Sequence, residues 1–221
     1  MIVSNLIQEN KQLKETVNNL LEWKESFDKK DEQMAYEKIN FNSKIFVKNE
    51  EISLISKRFM KKRVPKPKKL TFNLLYRASR DGDSPIEYHK KCDGKANTIC
   101  AIKTKKGCKF GGYTETEISR NFQELLDPNS FIFSLNKMKI YENKDKNKRV
   151  ICHSGTWGPI FIDGFSIVDK NFFSSNEIKK DNIKLIEKSS FFNLSDEEFE
   201  INNGEKNFTI EDIEVFQLLF D

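Results

Sequence analysis

The sequence predicts an α+β, mainly β protein in which a long coiled-coil helix precedes a domain of two packed sheets. Two observations predict this fold. A heptad pattern of apolar residues is confined to the first part of the 221-residue chain, and an alternation with a period of two begins near Leu70. We therefore expect a coiled coil over residues 1–60, a basic proline-containing linker over 61–69 and a β-rich domain over 70–221.

The helix prediction rests on a single heptad register that persists as far as the linker. Its a and d positions include Val3, Leu6, Asn10, Leu13, Val17, Leu20, Phe27 and Met34, and the register continues through Ile45, Ile52, Ile55 and Phe59. A 3.5-residue repeat of this length favours pairing with a second helix, and an asparagine at position a, as at Asn10, is typical of parallel dimers. The alternative is one amphipathic helix that packs on its own domain.

The positive charge of the protein is concentrated between the two patterns. Residues 57–69 hold eight basic and no acidic side chains, whereas 1–56 and 70–221 each have a net charge of −2. Pro65 and Pro67 stop a helix and favour extended backbone here. We interpret the segment as a solvated linker, with a nuclear import signal or a contact with anionic lipid or nucleic acid as alternatives. Specific nucleic-acid recognition is not expected, because no aromatic side chain interleaves with the lysines.

The sequence after Leu70 reads as short β-runs separated by turn signals. The candidate strands span 70–78, 98–104, 108–114, 130–135, 137–142, 149–154, 159–169 and 213–220. Residues 105–107 and 143–148 are typical of hairpin turns. The strands are rich in aromatic residues and nearly continuous in apolar content, which predicts two packed sheets rather than one sheet with a solvated face.

One helix start is evident in this domain. Ser84 stands at the N-cap, a proline follows at the first helical position, and Glu87 comes three residues after the cap. This is the pattern of a capping box, in which each side chain satisfies a backbone N–H of the first turn. The helix is expected to end near Cys92, before the Asp-Gly pair at 93–94.

Residues able to support catalysis or bind a metal are few. The soft ligands are Cys92, Cys100, Cys108, Cys152, His89 and His153. They lack the short C-x-x-C spacing of zinc sites, and no nucleotide-binding or hydrolase motif occurs, so we expect no metal, no cofactor and no catalytic centre. Neighbouring strand residues point to opposite faces, which argues against a Cys152–His153 nucleophile pair. His89 is expected to be a structural histidine.

Three further features have both a structural and a functional interpretation. Asp81, Asp83 and Asp93 could form a cation site, but acids in loops beside a helix are usually caps and turn formers. Gly111–Gly112 is more typical of a β-bulge or a close backbone approach than of a phosphate cradle. Trp157 is expected in the core, with an exposed loop position as the alternative.

An ordered set of motifs resembles the TLDc domain family, especially its amoeba and ciliate members. The motifs are LLYRASRDG (74–82), HKKCDG (89–94), KFGGYT (109–114), DPNSFIFSL (127–135), GPIF (158–161) and FTIEDIEVFQL (208–218). The motif residues singled out are Tyr76, Arg77, Asp81, Gly82, Cys92, Asp93, Gly94, Phe110, Gly111, Gly112, Phe131, Phe133, Gly158, Pro159, Glu214, Val215 and Phe216. After FGGY, where the family often has a tryptophan, the chain reads TETEISRN (114–121).

The resemblance implies a two-sheet antiparallel β-sandwich with flanking helices, an association with oxidative stress, and binding to the vacuolar proton-pumping ATPase. It carries over no catalytic residue. We therefore expect a cytosolic, non-catalytic adaptor that self-associates through its coiled coil, with a nuclear location through residues 57–69 as the alternative. No membrane span is expected. The alternative function is a redox-protective enzyme that uses an accessible, low-pKa thiol at Cys92, Cys100 or Cys108.

Overall fold

The chain divides into two compact units, Met1–Asn40 and Phe41–Asp221. A computed structural model describes residues 10–11, 13–19, 21–22, 42–62, 67, 69–162, 164–168, 171–173, 183–185, 200–204 and 208–221. Nearly all of the described structure therefore belongs to the second unit. No helix in these ranges is long and apolar enough to cross a membrane.

The described residues of the first unit, within 10–22, are helical and exposed to solvent. Three predicted seam residues lie among them: Asn10, Leu13 and Val17. The other five, Val3, Leu6, Leu20, Phe27 and Met34, lie outside the described residues. A helix with exposed leucine and valine side chains is compatible with a coiled coil, but pairing with a second helix stays a prediction.

The described residues of the second unit form three α-helices, one 3₁₀ turn and eleven strands. The helices are α1 (Asn49–Lys62), α2 (Ala78–Asp81) and α3 (Pro85–Cys92), and the 3₁₀ turn spans Glu200–Asn202. The strands are β1 (Leu70–Arg77), β2 (Thr98–Thr104), β3 (Lys109–Thr114), β4 (Gln123–Leu126), β5 (Phe131–Ser134), β6 (Lys139–Glu142), β7 (Arg149–His153), β8 (Ile160–Phe161), β9 (Phe165–Ile167), β10 (Ile183–Leu185) and β11 (Ile210–Phe220).

The strands form two antiparallel sheets, as predicted. Sheet A has the order β1-β11-β2-β3-β5-β6, and sheet B has the order β10-β9-β8-β7-β4. Every paired strand runs antiparallel to its neighbour. The long strand β11 lies between β1, the terminal strand at one edge of sheet A, and β2.

Each of the eight predicted strand segments contains a strand, but two strands were missed. The prediction omitted β4 and β10, and it merged β8 with β9, which are separated by a turn in which the Gly164 N–H donates to the carbonyl of Phe161 at 2.9 Å. The predicted helix is confirmed as α3. The Ser84 hydroxyl accepts from the N–H of Glu87 at 3.4 Å, as expected of an N-cap.

The main hydrophobic core lies between the two sheets. The ring of Phe110 on β3 contacts that of Phe165 on β9, with centroids 5.5 Å apart. Sheet A also contributes the buried residues Ile102 and Val215, and sheet B contributes Phe161. Burial of these side chains supplies most of the driving force that holds one sheet on the other.

The opposite face of sheet A is covered by residues 42–62, which we call the N-terminal strap. The ring of Phe46 lies 5.9 Å from that of Phe133, and Phe59 on α1 lies 4.7 Å from Tyr113 and 5.7 Å from Phe131. All five side chains are almost completely buried. Sheet A is therefore covered on both faces, which accounts for the nearly continuous apolar content of its strands.

The position of the strap corrects the predicted end of the coiled coil. Residues 45–59 were placed in the helical seam, yet Ile45, Ile55 and Phe59 are buried within the second unit. For this stretch the alternative interpretation, a helix packed on its own domain, is the right one. The folded domain therefore begins near Phe41, not at Leu70.

The basic segment is partly absorbed into the same domain. Arg58 donates from Nε and Nη2 to the carboxylate of Glu142, both at 3.1 Å, and its guanidinium lies 4.9 Å from the ring centre of Phe131. This contact anchors α1 on sheet A through a charge and an aromatic face. Residues 63–66 and 68 of the predicted linker lie outside the described residues, so the role of the linker stays a prediction.

Candidate functional site

The cysteines are packed inside the protein. Cys92, Cys100, Cys108 and Cys152 are all buried and unpaired. Burial raises the pKa of the Cys92, Cys100 and Cys152 thiols above their ordinary value, because the thiolate loses its hydration. The predicted alternative of a reactive thiol at Cys92, Cys100 or Cys108 requires exposure and a lowered pKa. All three side chains are buried, and the pKa values of Cys92 and Cys100 are raised.

His89 on α3 connects three segments of the chain. Its Nδ1 lies 2.6 Å from a carboxylate oxygen of Asp93, and its Nε2 lies 2.9 and 3.0 Å from the carbonyl oxygens of Ser154 and Trp157. All of these partners are acceptors, so both ring nitrogens are satisfied together only when each carries a hydrogen. The ring is buried, as expected for a structural histidine, and it fixes the 154–157 loop to the end of α3.

The network continues from Asp93 to the loop that precedes β4. The second carboxylate oxygen of Asp93 accepts from Nε of Arg120 at 2.6 Å. Backbone bonds reinforce the link: Gly94 donates to the carbonyl of Ile118 at 3.0 Å, and Gly155 donates to that of Arg120 at 2.9 Å. The TETEISRN segment is thereby attached to α3 on one side and to the 154–157 loop on the other.

These attachments position a surface on the edge of sheet B. It consists of Phe122, Glu124, Leu126, Arg149 and Trp157, and we call it the β4 surface. Phe122 is 69% exposed and Leu126 is 53% exposed, while Trp157 is half-buried and meets Phe122 edge to face at 6.2 Å. Trp157 therefore occupies neither the core nor a fully exposed loop. Exposed aromatic and aliphatic side chains grouped in this way are typical of interaction sites.

Basic side chains adjoin the C-terminal end of the β4 surface. Residues 143–148 were predicted as a hairpin turn, but the segment joins β6 of sheet A to β7 of sheet B. The 143–149 loop carries four exposed basic residues, Lys144, Lys146, Lys148 and Arg149, against one acid, Asp145. Arg149 lies opposite Leu126 in the β4–β7 register, and Nζ of Lys146 donates to the carbonyl of Pro128 at 2.9 Å. The surface thus has an aromatic end and a basic end.

A chain of polar side chains runs through the interior behind this edge. The hydroxyl of Thr114 donates to Asp127 at 2.6 Å and lies 2.7 Å from that of Thr116, which in turn lies 3.2 Å from Nε2 of His153. Burial raises the pKa of Asp127, although its hydrogen bonds oppose this change. Burial, assisted by His89, lowers the pKa of His153 to about 4.

A small cavity of about 20 Å³ lies beside this chain, with Thr114, His153, Cys100 and Cys152 among its lining residues. A space of this size holds one water molecule and excludes an organic substrate. Within the described residues, no group of three or more His, Cys, Asp or Glu side chains could hold a metal ion.

Two of the three acidic residues considered as a cation site, Asp81 and Asp93, are structural partners. Asp81 accepts from the N–H of Arg77 at 2.9 Å and from Arg80, so it caps the turn of α2. Asp93 belongs to the His89 network. Nearby, the hydroxyl of Tyr76 donates to the carbonyl of Gly82 at 2.6 Å, and burial raises the pKa of Tyr76.

The glycine pair of β3 lets neighbouring atoms approach the β3 backbone closely, the backbone of β2 at Gly111 and a side chain of sheet B at Gly112. A Cβ atom on Gly111 would lie 1.9 Å from the carbonyl oxygen of Cys100, and one on Gly112 would lie 2.5 Å from the ring of Phe161. The β2–β3 register contains no bulge. Of the two structural interpretations of Gly111–Gly112, the close approach is therefore correct. Gly158 is similar, since its Cβ would lie 2.9 Å from the ring of Phe172.

The remaining motif residues are distributed through the core rather than gathered in one site. Phe131, Phe133 and Phe216 face the N-terminal strap, whereas Cys92, Phe110 and Val215 belong to the core between the sheets. Pro159 lines the small cavity. Arg77 and Glu214 form a buried ion pair with a distance of 2.6 Å. The motif set therefore describes how the domain is built.

The TLDc domain family model matches residues 39–219, which include the strap, both sheets and the closing strand. This match covers most of the chain. The chain belongs to the TLDc domain family. The start of the match at residue 39 agrees with the boundary of the second unit, so the strap is part of the TLDc domain. No curated protein matches the chain.

Membership of the TLDc family indicates, in general, a protein-binding or oxidative-stress-related role. The geometry adds a concrete candidate for the binding site, the β4 surface, which the sequence analysis did not identify. Its one signal in the sequence was Phe122, an aromatic residue within a polar stretch that ends at a turn. The motif residues His89 and Asp93 contribute to it indirectly, because they position the loops on which it depends.

Proposed function

We propose that this TLDc protein is a non-catalytic adaptor that binds a partner protein through the β4 surface. The observation that supports this most is the exposure of Phe122 beside Trp157, and of Leu126 at the other end of β4, on an edge held by the His89 network. An apolar surface that is fixed before binding loses little conformational entropy when a partner arrives. Aromatic side chains on such a surface are frequent hot spots of protein interfaces.

The first unit sets the oligomeric state in this proposal. Leu13 and Val17 occupy predicted seam positions in helical backbone and both are exposed, as is the adjoining Leu21. A second copy of the helix in a parallel dimer would cover these side chains. Two tethered TLDc domains would then bind a multi-subunit target with greater avidity than one.

The proposed partner is the vacuolar proton-pumping ATPase, which the family resemblance implies. The test immobilises the full chain and measures retention of the purified ATPase at micromolar concentration. We expect retention that falls at least about tenfold when Phe122→Ser and Leu126→Ser are combined. Ile86→Ser is the matched control, because Ile86 is 67% exposed on α3 and lies outside the β4 surface. Absence of retention by the unaltered chain would contradict this partner.

A thiol-based redox enzyme is the less favoured function. It requires a thiolate that an oxidant can reach, whereas the thiols of Cys92, Cys100 and Cys152 are buried with raised pKa values. A disulfide reagent added to the native protein at neutral pH distinguishes the two functions. We expect slow reaction that becomes fast only in denaturant. Rapid reaction of one thiol in the native state would favour the enzyme.

A further inference from the structure

We propose that an extended segment of the partner pairs with β4 as an additional strand of sheet B. The segment alternates acidic and apolar residues. This inference rests on the proposed protein-binding function, and it specifies the chemistry of the segment that the β4 surface accepts. The acceptor is the backbone of Gln123–Leu126 together with the side chains that flank it.

The position of β4 in the sheet provides the backbone part of the site. It is the terminal strand of sheet B, and the described residues pair it on one side only, with β7. In an antiparallel sheet about half of the N–H and C=O groups of a terminal strand point away from its neighbour. Such a row is a template for a further strand, whose main-chain hydrogen bonds provide affinity for an extended peptide.

The side chains beside this edge specify an apolar component. Phe122 and Leu126 are exposed at the two ends of β4, and Trp157 extends the aromatic end. The distance along the strand from residue 122 to residue 126 is roughly 13 Å at about 3.3 Å per residue. An added strand could therefore place an apolar residue at each end within one short segment.

The charges specify an acidic component. Four exposed basic side chains against one acid give the 143–149 loop a net charge of +3, and Arg149 lies directly opposite Leu126. At the other end, Arg120 is already paired with Asp93, so it adds little net charge. Glu124 is the one acid on β4 itself. An acidic segment is therefore attracted to the basic end, and a basic segment is repelled there.

A second copy of β4 is a poorer occupant than an acidic partner. In a symmetric antiparallel pair centred on Glu124, the two Glu124 carboxylates would lie directly opposite each other. Like charges in that position are destabilising. The basic loop would also gain no counter-charge from such a pairing, whereas an acidic segment supplies one.

The edge is prepared for binding because both of its ends are fixed. The N-terminal end follows Arg120, which is held by Asp93. The C-terminal end leads into Asp127, which accepts from Thr114 and from the N–H of Glu115 at 2.8 Å. These contacts, exposed at Arg120 and buried or half-buried at Asp127, reduce the ordering that binding would otherwise require.

The first test measures binding of two synthetic peptides to the full chain by fluorescence anisotropy. One peptide of about nine residues alternates glutamate with valine, and the other has lysine in place of each glutamate. We expect the acidic peptide to bind at least about tenfold more tightly than the basic one at low salt, with an advantage that shrinks as salt is added. Equal binding of the two peptides would overturn the proposal.

Two pairs of variants identify the site. Phe122→Ser with Leu126→Ser, and Lys144→Glu with Lys146→Glu, should each weaken binding of the acidic peptide about tenfold. The matched controls are Ile86→Ser for the apolar pair and Lys90→Glu with Lys105→Glu for the charge reversal, since these side chains are exposed elsewhere. Controls that weaken binding as much as the β4 variants would overturn the proposal.

Amide hydrogen exchange provides a readout that does not depend on the variants folding. Saturating acidic peptide should slow exchange at residues 123–126. Binding without such protection would overturn the added strand, and protection that appears on concentrating the protein without peptide would assign the edge to a second copy.

Retention of the ATPase by a chain that fails these tests would leave the adaptor function standing and remove only the β4 inference. Peptide binding without ATPase retention would remove only that partner.

Discussion

Arg77 and Glu214 face each other across adjacent strands, with Nε of Arg77 2.6 Å from Oε1 of Glu214 and both side chains buried. The pair also holds the N-terminal strap. Glu214 accepts from the N–H of Lys44 at 2.9 Å and from the hydroxyl of Ser43, while Nη2 of Arg77 donates to the carbonyl of Asn42 at 2.6 Å. One ion pair therefore links β1, β11 and the start of the domain.

Replacing Glu214 by Gln should destabilise the domain strongly. The change leaves the Arg77 guanidinium buried without its counter-charge, and breaking a buried pair in this way typically lowers the free energy of unfolding by about 3–5 kcal/mol. Urea denaturation followed by tryptophan fluorescence or circular dichroism measures the change.

The matched control for this variant is Glu211→Gln on the same strand. Glu211 forms an ion pair with Lys103 at 2.7 Å, but Glu211 is exposed to water and Lys103 is only half-buried. Its loss should lower the free energy of unfolding by less than about 1 kcal/mol. Equal effects of the two substitutions would show that burial of the Arg77–Glu214 pair is unimportant.

The strap should decide where the chain can be shortened. A chain that begins at residue 41 keeps Phe46 and Phe59 on sheet A, and we expect it to unfold at the same urea concentration as the second unit of the full chain. A chain that begins at residue 68 exposes the face formed by Phe131, Phe133 and Phe216. We expect that chain to aggregate or to bind a hydrophobic dye. Cooperative unfolding of the shorter chain at an unchanged midpoint would contradict the structural role of the strap.

The error over the strap has a physical origin in helical periodicity. Helix α1 is 14 residues long, and repeats of 3.5 and 3.6 residues diverge by only about 20° per heptad. Over four turns, the sequence pattern of a helix that packs on a partner helix therefore cannot be distinguished from that of a helix that packs on a sheet. The aromatic character of Phe46 and Phe59 carried no information about which surface they contact, because that surface is assembled from strands distant in sequence.

The sheets were largely predictable, whereas the β4 surface was not. Most strands are rich in apolar and aromatic residues. This local pattern was sufficient to predict them, because the same residues form the core of the folded domain. Strand β4 reads Gln-Glu-Leu-Leu, a sequence with low β propensity, and it forms by pairing with β7 rather than with a strand adjacent in sequence. The exposure of Phe122 follows from the place of β4 at the end of sheet B, which only the long-range topology determines.

Gly111→Ala should disrupt the close pairing of β2 with β3 in sheet A. The new Cβ would lie 1.9 Å from a backbone oxygen of β2, and backbone cannot move aside as a flexible side chain can. We expect a loss of at least about 3 kcal/mol in the free energy of unfolding, in the range of severe overpacking.

Gly107→Ala is the comparison, since its Cβ meets no atom and only its positive φ of 82° is strained. That variant should lose only about 1–2 kcal/mol, the usual cost of left-handed backbone for a residue with a Cβ. A stable Gly111→Ala protein would contradict the close packing of β2 and β3.

Charging the exposed helical face of the first unit should abolish self-association. Leu13→Glu with Val17→Glu places two negative charges at predicted d and a positions, where a partner helix would bury them. Sedimentation of the full chain should then show a monomer with unchanged second-unit unfolding. Asn18→Glu with Asn19→Glu adds the same charge off the seam and should leave the oligomer intact. An oligomer that survives the Leu13 and Val17 substitutions would contradict the coiled coil.

His153 should make the domain less stable as the pH falls. Burial, assisted by the nearby His89, lowers its folded-state pKa from 6.5 to about 4, while Asp93 opposes the shift. Between these values the unfolded chain binds a proton that the folded protein does not, so stability is complete above pH 6.5 and decreases towards pH 4. The decrease approaches about 1.4 kcal/mol per pH unit and totals on the order of 3 kcal/mol.

The His153→Gln variant isolates this contribution, because other groups titrate in both proteins. Glutamine can still bond to the Thr116 hydroxyl, which lies 3.2 Å from Nε2 of His153, so the polar chain to Asp127 is kept. Urea denaturation at a series of pH values from 7 to 4 should show the two stability curves converging or crossing as the pH falls, since only the unaltered protein loses this term. Parallel curves would mean that His153 takes up its proton equally in the folded and unfolded chains, and that its burial among Thr116, His89 and Asp93 does not exclude the charged ring.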